Sequence, residues 1–178
     1  RRQRQMCIRD RYRYFEDEKD MLRDFIKFLN QIKPDVITGW NTKFFDIPYI
    51  VNRVERLLGE EQVRLISPWK IVKGGKVNIK GRDQQYYDIF GMASLDYMDL
   101  YRKFTYTVQE SYALNHIANV ELGEKKLSHD EYENFATFYK TDWQKFVEYN
   151  IRDVELVSML EDKLGLIDLC LTMAYDFR

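Results

Sequence analysis

The chain has 178 residues, 45% hydrophobic and 32% charged, enough for one domain with a sizeable core. The formal net charge is −1, so bulk charge does not announce a nucleic-acid binder. No apolar run approaches the roughly 18 residues of a membrane span, and His116 and His129 have no Cys or His at zinc-ligand spacing. Cys7 and Cys170 are the only cysteines; they read as free thiols of a reducing compartment.

Arg1 to Arg11 shows neither helical nor strand periodicity and has no apolar stretch of a signal peptide. Residues 1–13 hold six Arg and one Asp, which leaves an acidic body behind them. Such a body suits a protein that gathers carboxylates around divalent metal better than a purely electrostatic DNA clamp. The basic segment reads either as a DNA-binding arm or as non-native sequence, since it resembles a translated sequencing-adaptor fragment. Residues 1–11 are therefore set apart, and the folded domain is taken to span 12–178.

From Phe15 to Ile32, Met21, Leu22, Phe25, Ile26, Phe28 and Leu29 mark an amphipathic helix that Pro34 stops. Asp35 to Trp40 is a short β-branched run ending in Gly39-Trp40 and predicts a buried strand. A helix over Pro48–Leu58 is closed by Gly59. Segments around Val77–Ile79 and Tyr86–Phe90 predict a hairpin with its turn near Gly81, or alternatively at Gly74-Gly75. Lys70, Lys73, Lys76, Lys80 and Arg82 make it basic, either for DNA or as a lysine-protected edge. Ala93–Tyr97 predicts a strand, followed by helix to about Phe104. Helices are expected over Tyr112–Val120, Asp130–Tyr139 and Asp142–Leu164, and Leu164–Tyr175 reads as a buried helix end. Strands alternating with helices argue an α/β fold, and one domain is the default. The aromatic content of 15%, with 13 Tyr and 11 Phe, suits a packed core or a base-stacking surface.

Two carboxylates stand out. Asp46 follows a buried strand and opens a helix, where an acidic residue also serves as an N-cap. Tyr149 and Asp153 lie at i and i+4 on one helix face. Ile151, Val154 and Val157 place Asp153 near the core, where a carboxylate must pair or hold a cation.

The string Asn41-Thr42-Lys43-Phe44-Phe45-Asp46 resembles the second exonuclease motif of family B DNA polymerases, and Tyr149-Asn150-Ile151-Arg152-Asp153 resembles the third. Their order fits that family. Thr38-Gly39-Trp40-Asn41, Phe45-Asp46-Ile47-Pro48-Tyr49-Ile50, Leu95-Asp96-Tyr97-Met98-Asp99-Leu100-Tyr101 and Ser111-Tyr112-Ala113-Leu114 are similar to the T-even-phage branch. The resemblance covers residues 12–178. It implies an RNase H-like exonuclease fold with an inserted β-hairpin, and 3′→5′ proofreading by two Mg²⁺ or Mn²⁺ ions about 3.5–4 Å apart. By residue it implies Asp46 and Asp153 as metal ligands and Tyr149 as the group orienting the attacking water. Asn41 and Phe45 would lie beside the single-stranded primer 3′ end, with Lys73, Lys76, Lys80 and Arg82 also on DNA. The implied partners are DNA, the polymerase domains of a parent protein and a sliding clamp, in the cytoplasm of a bacterial host, with no membrane.

One motif of that family, Asp-x-Glu on an early strand, has no match here. Glu16-Asp17-Glu18 lies at a helix start and reads as an acidic first turn. The expectation is an exonuclease fold incomplete at its N-terminus, with little or no nuclease activity in this polypeptide by itself. Two rival readings stay open: a catalytically inactive nuclease-like domain that binds DNA or scaffolds, and a stand-alone RNase H-like exonuclease.

Overall fold

A computed structural model describes residues 13–79, 81–123 and 140–177. Helices and strands are mixed, and the chain forms two compact units, one ending at Asp96 and one beginning at Tyr97.

In the first unit, helix α1 runs Glu18–Ile32. It starts three residues later than the apolar spacing suggests, because Asp17 caps it and accepts a hydrogen bond from the Lys19 amide at 2.9 Å. Glu18 and Asp20 then lie in the first turn, where the helix dipole favours negative charge. Lys33 closes the helix in the left-handed conformation, and Pro34 follows. Strand β1, Val36–Gly39, pairs in parallel with β4, Ala93–Asp96, in the register Val36↔Ala93 and Gly39↔Asp96. A parallel pair needs a long crossover. Here the crossover holds helix α2 (Asp46–Leu58), the short helix α3 (Glu60–Arg64) and the antiparallel hairpin of β2 (Val72–Ile79) and β3 (Arg82–Ile89).

Helix α2 begins at Asp46, two residues before the sequence expectation. Pro48 is accommodated inside its first turn, where a missing N–H breaks no intrahelical bond. Leu22, Ile26 and Leu29 of α1 meet Ile47, Val51 and Val54 of α2 in the core, with Val63, Ile66, Ile89 and Met92. Glu18 and Arg53 form a two-pronged ion pair tying the start of α1 to α2.

The hairpin turns at Gly81, which has a positive φ of 79° and donates its N–H to Asn78 Oδ1 at 3.0 Å. The alternative turn at Gly74-Gly75 is not formed: both residues sit inside β2, opposite Tyr87 and Tyr86. A Cβ on Gly74 would lie 2.8 Å from the Tyr87 ring, and one on Gly75 would lie 2.6 Å from that of Tyr86. The two glycines make room for cross-strand tyrosines to lie over the backbone. Tyr87 donates its hydroxyl to Asn52 Oδ1 at 2.7 Å and accepts from Gln85 Nε2 at 2.7 Å, which fastens the hairpin to α2.

In the second unit, α4 spans Tyr97–Phe104, α5 Leu114–Leu122, α6 Trp143–Leu164 and α7 Leu166–Asp176. The expected helix over Asp130–Tyr139 lies outside the described residues. Tyr97, Tyr101, Ile117, Leu156 and Leu160 are fully buried. Leu164–Tyr175 is not a buried helix end. Gly165, at a φ of 62°, breaks the chain into a separate helix α7, whose Leu169, Leu171, Met173 and Tyr175 are exposed. Glu161 secures the break: its carboxylate accepts the amides of Ile167 at 3.1 Å and Asp168 at 3.3 Å. Among the described residues no helix is long and apolar enough to cross a membrane.

Candidate active site and nucleic-acid surface

The register Gly39↔Asp96 places Asp96 at the carboxyl ends of the parallel strands, where α/β folds commonly build their sites. Asp96 is only 4% exposed. Its two oxygens accept the backbone N–H of Asn41 at 3.0 Å and of Lys43 at 2.9 Å. That pair of bonds satisfies a buried carboxylate and fixes the loop leaving β1. The loop needs the help. Asn41 takes a left-handed φ of 61°, and Gly39 must lack a side chain because a Cβ there would lie 2.4 Å from the Thr42 methyl. The loop then delivers Asp46 as the first residue of α2, with Phe45 rather than Asp46 in the cap position.

Asp46 keeps an exposed edge, yet the protein around it strips enough water to raise its carboxyl above the ordinary range. Its own backbone N–H opposes that shift, and the nearby charge of Asp96 adds to it. A carboxylate disfavoured in this way gains from a cation. Phe45 and Tyr49, one helical turn apart, expose 67% and 61% of their surfaces. Lys43 lies across aromatic faces, its Nζ 5.3 Å from the Phe44 centroid and 5.7 Å from that of Tyr86 on β3. On the hairpin, Lys73 Nζ sits 5.2 Å from the Phe90 ring, and Lys76 and Arg82 are exposed. Lys80 lies outside the described residues.

In the second unit, Tyr149 and Asp153 sit one turn apart on α6. Tyr149 is buried, and Asp153 is half-buried with one carboxylate oxygen shielded from solvent. Val157 is buried beside it in sequence, while Val154 is exposed, so the apolar wrapping of Asp153 is one-sided. Asp142 starts this helix by accepting the Lys145 amide at 3.1 Å. Tyr101 donates its hydroxyl to Glu121 Oε1 at 2.7 Å, and Lys163 near the end of α6 also binds Glu121. Burial and the Glu121 carboxylate push the Tyr101 hydroxyl up to about 12. Burial and Glu161 push Tyr97 upward as well.

Asn41, Phe45 and Asp46 thus share one loop–helix junction in the first unit, and Tyr149 and Asp153 share one helix face in the second. Among the described residues, no group of three or more His, Cys, Asp or Glu side chains is gathered to hold a metal. Asp46 offers hard oxygen donors suited to Mg²⁺ or Mn²⁺, but Asp96 is already committed to backbone amides. The residues fit part of a ligand set rather than a whole one. Nothing local in Leu95–Tyr101 marks the role of Asp96, because its partners lie 55 and 53 residues away.

The family model for the exonuclease domain of DNA polymerase family B matches residues 2–117. The chain is 39% identical over 164 residues to the DNA-directed DNA polymerase of Enterobacteria phage T4 and 35% identical over 164 residues to that of Escherichia phage RB69, covering 92% of this chain in both cases. It is 31% identical over 159 residues to the DNA polymerase delta catalytic subunit of Candida albicans, covering 83% of this chain. It spans only 18% of the length of each phage relative and 15% of the fungal one. The chain belongs to the exonuclease domain of the family B DNA polymerases.

Proposed function

We infer that the chain is part of the 3′→5′ proofreading exonuclease of a DNA-directed DNA polymerase and acts on the single-stranded 3′ end of a primer. What supports this most is the family match across residues 2–117, which includes the whole Asn41–Asp46 loop. The fold that goes with this reading is RNase H-like, with β2–β3 as an inserted hairpin.

Asp46 and Asp153 would each offer carboxylate oxygens to divalent cations, Mg²⁺ or Mn²⁺. The cations, when bound, activate a water and stabilise the leaving 3′ oxygen. Tyr149 orients that water from one helical turn before Asp153. Phe45, exposed at the mouth of α2, offers an apolar face to the terminal base, and Asn41 offers its side-chain amide. Asp96 holds their loop in place. Lys73, Lys76, Lys80 and Arg82 hold the phosphate backbone along the hairpin, which parts primer from template. The polymerase domains of the parent protein and a sliding clamp are its partners, in the cytoplasm of the phage's bacterial host.

The test is to titrate Mn²⁺ into the isotope-labelled chain and follow amide signals by NMR. Signals around Asp46 and around Asp153 are expected to broaden first. Broadening confined to other acidic surface residues would sink the metal assignment.

A further inference from the structure

Trp69 stands in the turn leading into β2 and leaves 66% of its surface exposed. Its backbone is nonetheless pinned. Ser67, 1% exposed, accepts the amides of Trp69 and Ile71, each at 3.1 Å, and donates its hydroxyl to the Phe90 carbonyl. The Lys70 amide donates to the Ser67 carbonyl at 3.0 Å, and the Phe90 amide donates to the Ile71 carbonyl at 3.0 Å. Gly91 completes the setting. At a φ of 90° it lies so close to the indole that a Cβ would stand 3.1 Å from Cδ1 and 3.2 Å from Nε1. One edge of the indole is therefore seated on glycine backbone, and most of the ring faces solvent.

We propose that Trp69 is a stacking platform for a base of single-stranded nucleic acid at the root of the hairpin. The inference rests on the nucleic-acid reading above and adds to it a contact outside the Asn41–Asp46 loop. An exposed aromatic held by a pinned turn loses little freedom when a flat ring stacks on it. The charge around it selects the occupant. Lys70 is the next residue and Lys73 stands at the root end of β2, while Lys76 and Arg82 lie farther off toward the hairpin tip, where Arg82 pairs with Ile79. Against these stand Asp83, which accepts from Asn78 at 2.8 Å, and Asp88, the cross-strand partner of Lys73. A flat apolar ring beside an excess of cations suits a base carried on a phosphate backbone. It suits an uncharged protein surface less well.

The experiment uses the purified 178-residue chain and a short labelled oligodeoxythymidylate at low salt, read by anisotropy and by intrinsic tryptophan emission. The wild type is expected to bind with quenching of emission. Trp69→Ala is expected to weaken binding about tenfold, and Trp69→Phe to stay within about threefold of wild type while losing most of the quench. Trp69 is exposed, so neither change threatens the fold. Unchanged affinity in Trp69→Ala, or quenching in Trp69→Phe as large as in the wild type, would overturn the platform; any smaller remainder belongs to Trp40, beside Asn41, and Trp143. If Phe45→Ala weakens binding and Trp69→Ala does not, the platform alone falls. Failure of the wild type to bind DNA overturns both the platform and the DNA reading. Loss of self-association in Trp69→Ala without loss of DNA binding would assign the indole to a second copy instead.

Discussion

Asp46 is placed by contacts that bridge long stretches of sequence, whereas Tyr149 and Asp153 are placed by the period of one helix. In the first unit the junction of β1 and α2 is held across the chain by Asp96, which arrives on β4 and takes the amides of Asn41 and Lys43. In the second, α6 sets the spacing of Tyr149 and Asp153 with no further instruction, and the Tyr101–Glu121–Lys163 cluster anchors the helix near its far end. The placement of a candidate residue on a helix is thus robust to distant change, and that of one at a strand–loop–helix junction depends on whatever buries beside it.

The largest expected effect tests that dependence. Asp96→Ala strands two backbone donors in a buried position and should lower the stability of the first unit by about 3 kcal/mol, with Asp96→Asn, which keeps one acceptor, costing less. Urea denaturation would measure it, and amide exchange should open at Asn41–Lys43 while α6 keeps its protection. Equal loss of protection along α6 would break the contrast.

The hairpin gives the next test. Gly74→Ala drives a methyl into the Tyr87 ring and should cost about 1–3 kcal/mol, since Tyr87 is held by Asn52 and Gln85 and cannot swing away freely. In a Tyr87→Ala background the same change should cost much less, and additive costs would contradict the contact.

In the second unit, Tyr101→Phe should cost about 1–2 kcal/mol through the lost bond to Glu121. The same hydroxyl gives a pH signature. Its neutral form is favoured in the fold, so its contribution is complete below the ordinary value of 10.0 and is lost as pH rises toward about 12. Alkaline unfolding should therefore steepen over that interval in the wild type and flatten in Tyr101→Phe.

The smallest effect belongs to Glu18 and Arg53. The guanidinium holds the Glu18 carboxyl below its ordinary 4.5, so this pair supports α1 above that value and fades as pH falls through the lowered one. Being only partly buried, it should also weaken with salt. Arg53→Gln should remove both dependences in an acid titration.

Much of this was legible in the sequence. Apolar spacing located α1 and α6, Pro48 and Gly59 bracketed α2, the β-branched run located β1, and Gly81 marked the hairpin turn. The Asp46 and Tyr149–Asp153 strings were readable because each is local. Three features were not. The role of Asp96 depends on partners 53 and 55 residues away, joined only when β4 pairs with β1. Gly74-Gly75 carries the composition of a turn, but its purpose is set by tyrosines on the opposite strand. The apolar text of α7 suggests burial, and nothing within it announces that Gly165 and Glu161 would set it off as an exposed helix.

The most direct test of the central claim is to replace the matched segment of the phage T4 DNA-directed DNA polymerase with this chain and measure release of the 3′-terminal nucleotide from single-stranded DNA in Mg²⁺. The chimera is expected to release it. Asp46→Ala and Asp153→Ala should each lower the rate by about 100-fold with folding intact, and Tyr149→Phe by less. A chimera whose exonuclease rate is indifferent to Asp46 and Asp153 would contradict the account.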